Sequence, residues 1–398
     1  MTYHHDNGFV HTEALIQDRT KAETAPTLPM MHAAFVLCGL GTMMLGPVLP
    51  LLASQWHLKD SQSGLLLMAQ FCGATLGGGT TSQRLRWSLK VGLACAALGY
   101  LGFALAPGLG IACAALAVAG FGVGRSIATI NIIAGARYTE HRGAALSWLN
   151  FSWSFGALLS PLCAAWLASR FLLSHLLAWF ACLLLAVLAI LYFQMRDAGE
   201  DAVKAASEKA SAQMPGMLFV YFAGLMVLYG GLETSLSGWL TTYALRYGKS
   251  SLVLSEYTMV LFLCGLTSGR ALAAWMLMRI RDLTLLRISL LLAALLAGAL
   301  ALAHTASLIA IFAVLLGICL APIFPATFAL VMATRPPARQ AGMIMAASGI
   351  GAASLPWLMG VISTRSGSLQ VALVLPALAA MVMLLLAMIS TARRSART

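Results

Sequence analysis

The feature that most constrains this chain is a series of long segments without any charged residue. Such runs extend over residues 61–83, 143–169, 171–195, 340–364 and 366–392. Each is close to the roughly 20 residues that an α-helix needs to cross the ~30 Å hydrocarbon core of a bilayer. Only 10% of the residues are charged, whereas soluble domains carry about a quarter. The chain is therefore predicted to be an integral membrane protein.

Two longer uncharged runs contain internal turns. Residues 91–124 include Pro and Gly at 106–110, and residues 288–334 include His, Thr and Ser at 304–307. These residue types interrupt helices, so each run is predicted to form two spans. Three further apolar segments lie near 31–54, 215–245 and 257–278. The total predicts an all-α membrane protein with twelve transmembrane helices.

The lysines and arginines are distributed unequally between the predicted loops. With both termini on the same side, 18 of the 25 cationic residues fall on that side and five on the other. The remaining two, Arg125 and Arg270, lie inside spans. Because cytoplasmic loops carry the excess of Lys and Arg, both termini are predicted to be cytoplasmic in a multi-pass protein of the inner membrane. The net charge of +12 is thus an orientation signal and does not indicate nucleic-acid binding.

A polar linker at 196–214 is predicted to separate two halves. The predicted domains are a disordered cytoplasmic tail at 1–29, a six-helix bundle at 30–195, the cytoplasmic linker at 196–214, a second six-helix bundle at 215–392 and a cytoplasmic tail at 393–398. Short repeats support a duplication, since Gly-Ala-Leu-Leu-Ser-Pro at 156–161 recurs as Gly-Ala-Ala-Ser-Leu-Pro at 351–356. Thr75-Leu-Gly likewise recurs as Thr267-Ser-Gly. The two bundles are therefore predicted to be pseudo-symmetric.

Three charged residues lie well inside predicted spans: Arg125, Glu233 and Arg270. A charge at that depth costs a few kcal/mol and persists where it is paired or faces a watery cavity. Glu233 follows Gly230-Gly231, a pair that permits a break in the seventh span, as in the discontinuous helices of transporter binding sites. Glu233 is predicted to carry a proton or accept a ligand hydrogen bond. The alternative is a structural hydrogen bond, and the estimated depths do not assure pairing with either arginine.

Polar and aromatic residues near these charges form the predicted site. Tyr229 and Glu233 fall on one helical face, with Trp239 on a neighbouring stripe, which suits a sugar or another polyhydroxylated ligand. The predicted substrate-binding residues are Gln70, Arg125, Asn131, Asn150, Trp153, Tyr229, Glu233 and Trp239, and Glu233 is the predicted proton-coupling residue. The predicted gating residues are Arg84, Arg142 and Arg270. Asn and Gln inside bundles also serve as interhelical contacts, which is the alternative for the amides. Arginines facing the cavity would favour an organic anion.

Motifs along most of the chain resemble those of the major facilitator superfamily of secondary transporters. They are Gly120-Phe-Gly-Val-Gly, Glu140-His-Arg-Gly and the repeated Gly-Ala-x-x-x-Pro. Within it, three stretches are similar to the fucose/glucose/galactose permease branch: Tyr229-Gly-Gly-Leu-Glu, Ser268-Gly-Arg and Ala321-Pro-Ile-Phe-Pro-Ala. The resemblance implies two six-helix bundles that rock about a central site, and it implies sugar–proton symport.

Two departures from the family pattern qualify that implication. Gln83 stands where the superfamily has an acidic residue in the loop between spans two and three, which predicts a weaker cytoplasmic gate. The sugar–proton symporters of the branch also use carboxylates in spans one and four. This chain has none in span one and carries Arg125 in span four. Sugar–proton symport therefore does not transfer directly.

The remaining sequence signals are negative. No phosphate-binding loop, metal-ligand spacing or nucleophile arrangement occurs, so neither ATP, a metal, a cofactor nor an enzymatic reaction is predicted. The predicted function is secondary active transport of a small polar solute, sugar-like or an organic anion, coupled to protons, by a monomer in the bilayer. The alternatives are a proton-antiport exporter of a metabolite, drug or siderophore, and a membrane sensor that does not transport.

Overall fold

A computed structural model describes residues 28–57, 60–168, 173–194, 213–248 and 257–395, and regular structure in these residues is helical throughout. The first half contains α1 Leu28–Trp56, α2 Asp60–Gly79, α3 Leu85–Ala104, α4 Leu109–Arg137, α5 Arg142–Ala168 and α6 Leu173–Gln194. The second half contains α7 Gly216–Tyr247, α8 Thr258–Met276, α9 Asp282–Ala301, α10 Ala306–Leu320, α11 Ile323–Ala333, α12 Ala338–Ser366, α13 Leu369–Ala372 and α14 Val374–Ser395.

These helices account for the twelve predicted passes. Helices α10 and α11 are consecutive pieces of one pass, separated at Ala321-Pro322 because proline lacks the N–H that an unbroken helix requires. Helices α13 and α14 similarly form the last pass. Nine of the described passes are long and apolar enough to cross a membrane. The predicted all-α membrane fold is confirmed, whereas membrane crossing by α2, α5 and α6 stays a prediction.

The predicted domain limits differ slightly from the helix ends. Helix α1 begins within the predicted tail, at Leu28, and α14 continues past residue 392 to Ser395. The rest of the N-terminal tail and residues 196–212 of the predicted linker lie outside the described residues. The linker and tails therefore stay predictions.

The predicted break in the seventh span is wrong, because α7 runs without interruption from Gly216 to Tyr247. In α7, Gly230 instead permits a close contact with another helix. A side chain at this position would collide with the backbone carbonyl of Ser348 in α12. The glycine lets two helices pack backbone to backbone, which small residues allow in membrane bundles.

The same close packing of a glycine against a backbone carbonyl occurs at corresponding positions in the first half, as a duplication would produce. A side chain at Gly39 in α1 would collide with the Trp153 carbonyl in α5. Gly230 and Ser348 lie 191 and 195 residues further along the chain than Gly39 and Trp153. The reciprocal contacts are those of Gly156 with Val36 and of Gly351 with Val227. Other packed pairs correspond as well, since α2 with α4 and α3 with α6 are matched by α8 with α10 and α9 with α14.

The two halves meet mainly where α2 packs on α12 and α5 packs on α8. We define the Gln83 face as the end of the bundle formed by residues 80–84, 138–141, 277–281 and 334–337. At this face, the amide oxygen of Gln83 accepts a hydrogen bond of 3.1 Å from the Ala338 N–H at the start of α12. Gln83 therefore caps a helix of the opposite half, although without the charge that a carboxylate would bring.

Candidate functional site: a cavity between the two halves

A cavity of about 270 Å³ lies where eight helices of both halves converge. Its walls come from α1, α2, α4 and α5 of the first half and from α7, α8, α11 and α12 of the second. Ligand sites of transporters built from repeats occupy this position between the repeats. Any motion of one half relative to the other would change the shape of this cavity.

An ion pair lies in the wall of the cavity. The Nη2 atom of Arg270 is 3.8 Å from Oε1 of Glu233, a pairing that the sequence left open. The Arg270 side chain is only 3% exposed, whereas that of Glu233 is 18% exposed. The carboxylate neutralises a guanidinium that burial would otherwise make costly.

The first half supplies several of the hydrogen-bond acceptors around Arg270, although this residue belongs to the second half. Its Nη1 donates to the Asn150 carbonyl at 3.2 Å and to the Ser154 hydroxyl, both on α5. Its Nη2 donates to the Tyr229 hydroxyl on α7 at 3.4 Å. The guanidinium carbon lies 5.4 Å from the centre of the Trp153 ring, within the range of a cation–π contact. Arg270 thus ties the halves together at the cavity wall.

Arg125 occupies a different environment from the one that the sequence predicted. Its Nη1 donates to the Thr80 carbonyl at 2.9 Å, just beyond the end of α2, and it lies 5.7 Å from the Phe121 ring. The described cavity lining contains Arg270 and does not contain Arg125. In the described conformation its acceptors are the carbonyl and hydroxyl oxygens of Thr80 in the same half, and the predicted role of Arg125 in substrate binding stays a prediction.

The other predicted binding residues divide into two groups. Asn150, Trp153, Tyr229 and Glu233 line the cavity. Gln70, Asn131 and Trp239 are absent from its described lining and bond to backbone carbonyls. Gln70 donates to Gly41 and Thr42, Asn131 to Ile127 and Trp239 to Pro356. The Gln70 contacts join α2 to α1, as the alternative of amides as interhelical contacts predicts, whereas Asn131 donates within α4 and accepts from Asn150 of α5 at 3.4 Å.

The predicted gating arginines of the first half lie near the Gln83 face. Arg84 is exposed just before α3, and the Nε of Arg142 donates to the Gly135 carbonyl at 2.6 Å. Arg270 instead lines the cavity. It precedes the loop at 277–281, which belongs to the Gln83 face. Gating by any of the three stays a prediction.

Much of the cavity wall is apolar, and sequence reasoning missed this part of the site. Met43, Phe71, Phe262, Phe324 and Met345 contribute to it. Every span of this chain is rich in such residues, so their presence alone carried no signal. A helical pattern of apolar side chains does not distinguish a face towards lipid from a face towards a cavity.

Most hydroxyl groups in the wall already donate their hydrogen to the preceding turn of their own helix. This holds for Thr42 with Cys38, Thr75 with Phe71, Thr234 with Gly230 and Ser348 with Met345, at 2.6 to 2.9 Å. Such back-bonding leaves these hydroxyls as acceptors only. The polar groups with donor capacity towards a ligand are correspondingly few.

Comparisons with known proteins agree on the fold. The E. coli fucose:proton symporter FucP has 18% identity and a TM-score of 0.72, with 91% of this chain and 98% of that one aligned. The human organic anion transporter MFSD10 has 14% identity and a TM-score of 0.74, with 90% and 98% aligned. The proton:xylose symporter XylE has 15% identity and a TM-score of 0.70, with 90% and 94% aligned.

These identities are low enough that the likeness shows the fold alone. Among curated protein sequences, none matches this chain. The sequence itself, however, matches the Major Facilitator Superfamily over residues 31–340, which is more than three quarters of its length. Together with the all-helical structure of the described residues and the central cavity, this match identifies the chain as a member of the Major Facilitator Superfamily.

Proposed function

We propose that this protein is a secondary active transporter that carries a small solute across the inner membrane by alternating access, with Glu233 as the proton-coupling residue. The observation that carries the proposal is the Glu233–Arg270 pair, which lies in a cavity bounded by both halves. FucP and XylE, which share the fold, are proton symporters by name.

The contacts of Arg270 suggest how a proton would affect the motion. Protonation of Glu233 removes the negative charge that faces Arg270 and leaves the guanidinium without a counter-charge. The same guanidinium bonds to Asn150 and Ser154 of the opposite half. A change in charge at Glu233 therefore alters the stability of contacts that must break when the halves rock.

The described conformation is closed at the Gln83 face, where Gln83 bonds to the start of α12. Deeper in the interface, the Ser147 hydroxyl donates to the Arg270 carbonyl at 2.6 Å. The distribution of Lys and Arg assigns this face to the cytoplasm. In the proposed cycle this conformation is therefore closed towards the cytoplasm.

The test is solute movement by purified protein in liposomes, with hexoses and organic monocarboxylates as probes. Glu233→Gln should abolish uptake driven by an imposed pH gradient, because Gln cannot carry the proton. Exchange of solute for solute should remain. The matched control is Glu140→Gln, which makes the same change at an exposed carboxylate of the Gln83 face, outside the described cavity lining, and should keep uptake that depends on the pH gradient.

Two results would contradict the proposal. Unchanged gradient-driven uptake by Glu233→Gln would remove this residue from the coupling mechanism. Ligand binding without any exchange by the wild-type protein would instead support the sensor alternative.

A further inference from the structure

We propose that the transported ligand is an organic monoanion with an apolar body, whose carboxylate binds Arg270 while Glu233 holds a proton. This inference rests on the proposed function and specifies its substrate class. Four observations support it: unpartnered donors, the planar edge of the Arg270 guanidinium, the balance of charge and the apolar walls.

Two residues of the described cavity lining each carry an enclosed N–H group without a hydrogen-bond partner. These groups are Nε of Arg270 and Nε1 of Trp153. Both groups are donors only. Buried donors of native proteins nearly always have an acceptor, and an unmade bond costs about 1–3 kcal/mol. A ligand that satisfies this cavity must therefore bring acceptor atoms.

The geometry of Arg270 shows which kind of acceptor fits. Nη1 is occupied by Asn150 and Ser154. The unpartnered Nε shares the opposite edge of the planar guanidinium with Nη2, which faces Glu233 at 3.8 Å and donates to the Tyr229 hydroxyl at 3.4 Å, so a ligand on this edge would compete with these two contacts. That edge presents two parallel N–H groups, which a carboxylate bridges with both oxygens. A hydroxyl offers only a single oxygen to the same edge.

The balance of charge indicates that a proton accompanies the anion. Among the described residues, the titratable and charged groups that face Glu233 are Tyr229 on α7 and Arg270 on α8. The side chains that α5, α11 and α12 contribute to the wall are uncharged; they include Asn150, Trp153, Phe324 and Ser348. The empty cavity is neutral when Glu233 is ionised.

Each class of ligand would change this balance differently. An anion on Arg270 would leave an excess negative charge unless Glu233 takes up a proton. An organic cation would add its charge beside a guanidinium that cannot lose its own. A neutral sugar with a proton would leave Arg270 uncompensated. Since unpaired charge in a poorly hydrated site is costly, a proton with a monoanion is the favoured combination.

The cavity walls indicate the chemistry of the part of the ligand that lies beyond its carboxylate. Apart from the charged pair and Asn150, Trp153 and Tyr229, the cavity presents mainly methionine and phenylalanine side chains, together with hydroxyls already bonded to their own helices. A sugar would lose water from several hydroxyls and recover few donors in exchange. An apolar body instead gains from contact with these walls. The volume of about 270 Å³ is suited to a small molecule of this kind.

The test is thermal stabilisation of the purified protein by five probes. They are the monocarboxylates phenylacetate and octanoate, the neutral phenylacetate isostere phenylacetamide, the cation phenethylamine, and galactose. The two carboxylates should stabilise the wild type, and the other three probes should not. Between about pH 6 and 8 both carboxylates remain ionised, because carboxylic acids titrate near 4. Their affinity should nevertheless rise as the pH falls, by up to about tenfold per unit.

Glu233→Gln tests the role of the proton independently of the role of the anion. This variant mimics the protonated residue, so it should bind phenylacetate with an affinity that does not vary with pH and is at least that of the wild type at low pH. Absence of stabilisation by both carboxylates overturns the proposal. Binding of the carboxylates that is independent of pH in the wild type overturns the part played by the proton.

Failure of this inference is distinguishable from failure of the proposed function. If galactose or phenethylamine, and no carboxylate, drives proton movement that Glu233→Gln abolishes, the substrate class is wrong and proton-coupled transport stands. If phenylacetate binds as described but Glu233→Gln still shows gradient-driven uptake, the binding chemistry stands and the coupling role is wrong.

Discussion

Arg125 and Arg270 give the same signal in the sequence, since each is a single guanidinium within an apolar span, but they lie in different surroundings. Arg270 faces a carboxylate in a cavity and bonds to the opposite half of the molecule. Arg125 bonds to the Thr80 carbonyl, just beyond the end of a neighbouring helix in its own half. The depth of a charge therefore indicates that it needs partners but not whether those partners serve stability or transport.

The largest effect is expected from Arg270→Ala. This change leaves Glu233 without its counter-charge and removes the hydrogen bonds to α5. Truncating one partner of a buried, hydrogen-bonded charge pair costs about 2–5 kcal/mol of binding, so binding of the anion, and uptake with it, should fall by at least roughly 30-fold. The measurement is solute uptake into liposomes, with equal amounts of monodisperse protein.

Arg270→Lys is the matched control, because it keeps the charge and loses the planar fork. It should retain more uptake than Arg270→Ala but bind the anion less tightly than the wild type. Normal uptake by Arg270→Ala would show that transport does not require Arg270. The two arginines would then not differ in their role in transport.

The second prediction concerns Arg125→Ala. Loss of a charged hydrogen bond to Thr80 should lower the free energy of unfolding by about 1.5–3 kcal/mol. The affinity for solute should stay within about threefold of the wild type, because Arg125 is outside the described cavity lining. Thermal unfolding and ligand titration on the same sample measure both quantities. Weakened solute binding with an unchanged free energy of unfolding would show that Arg125 belongs to the binding site.

The third prediction compares the aromatic rings beside the two arginines. Trp153→Phe keeps a ring near Arg270 and removes the unpartnered N–H, so affinity for the anion should fall about three- to tenfold. Phe121→Leu removes the ring near Arg125 and should leave this affinity unchanged. Equal effects of the two substitutions would mean that the Trp153 N–H does not contact the ligand.

Much of the architecture was predictable because membrane insertion imposes long uncharged runs. The twelve helical passes follow from that constraint, and the five cavity residues Asn150, Trp153, Tyr229, Glu233 and Arg270 were all singled out by their polar or aromatic character. Their grouping was only partly predictable. The sequence predicts Arg270 at the gate and Arg125 in the cavity, because estimated depth does not specify the direction in which a side chain points.

The error at Gly230 has a similar origin. A glycine pair in a span permits either a break or a close approach of another helix. The choice depends on the backbone of α12, where Ser348 contacts Gly230 although it lies more than 100 residues further along the chain. Contacts between distant segments also explain why Gln83 could be recognised as a departure from the family while its partner, Ala338, could not.

The smallest effect is expected at Gln83, away from both arginines. Gln83→Ala removes the cap on α12 and should shift the balance towards conformations open at the Gln83 face by about two- to fivefold, for a cost of about 0.5–1 kcal/mol. Gln83→Asp should shift it in the opposite direction, because a negative charge at a helix N-terminus is stabilising. Spin-label distances between the loops at 80–84 and 334–337 report this balance. An unchanged distance distribution in both variants would show that the contact does not influence gating.

The most direct test of Glu233 and Arg270 as a coupling pair is the number of protons taken up when phenylacetate binds. In a weakly buffered solution above neutral pH, a pH indicator records this uptake as purified protein is saturated with the anion. The wild type should take up close to one proton per bound anion, and Glu233→Gln should bind the anion with an uptake near zero. Equal proton uptake by the two proteins, or binding by the wild type without any uptake, would contradict the coupling of this carboxylate to the cavity arginine.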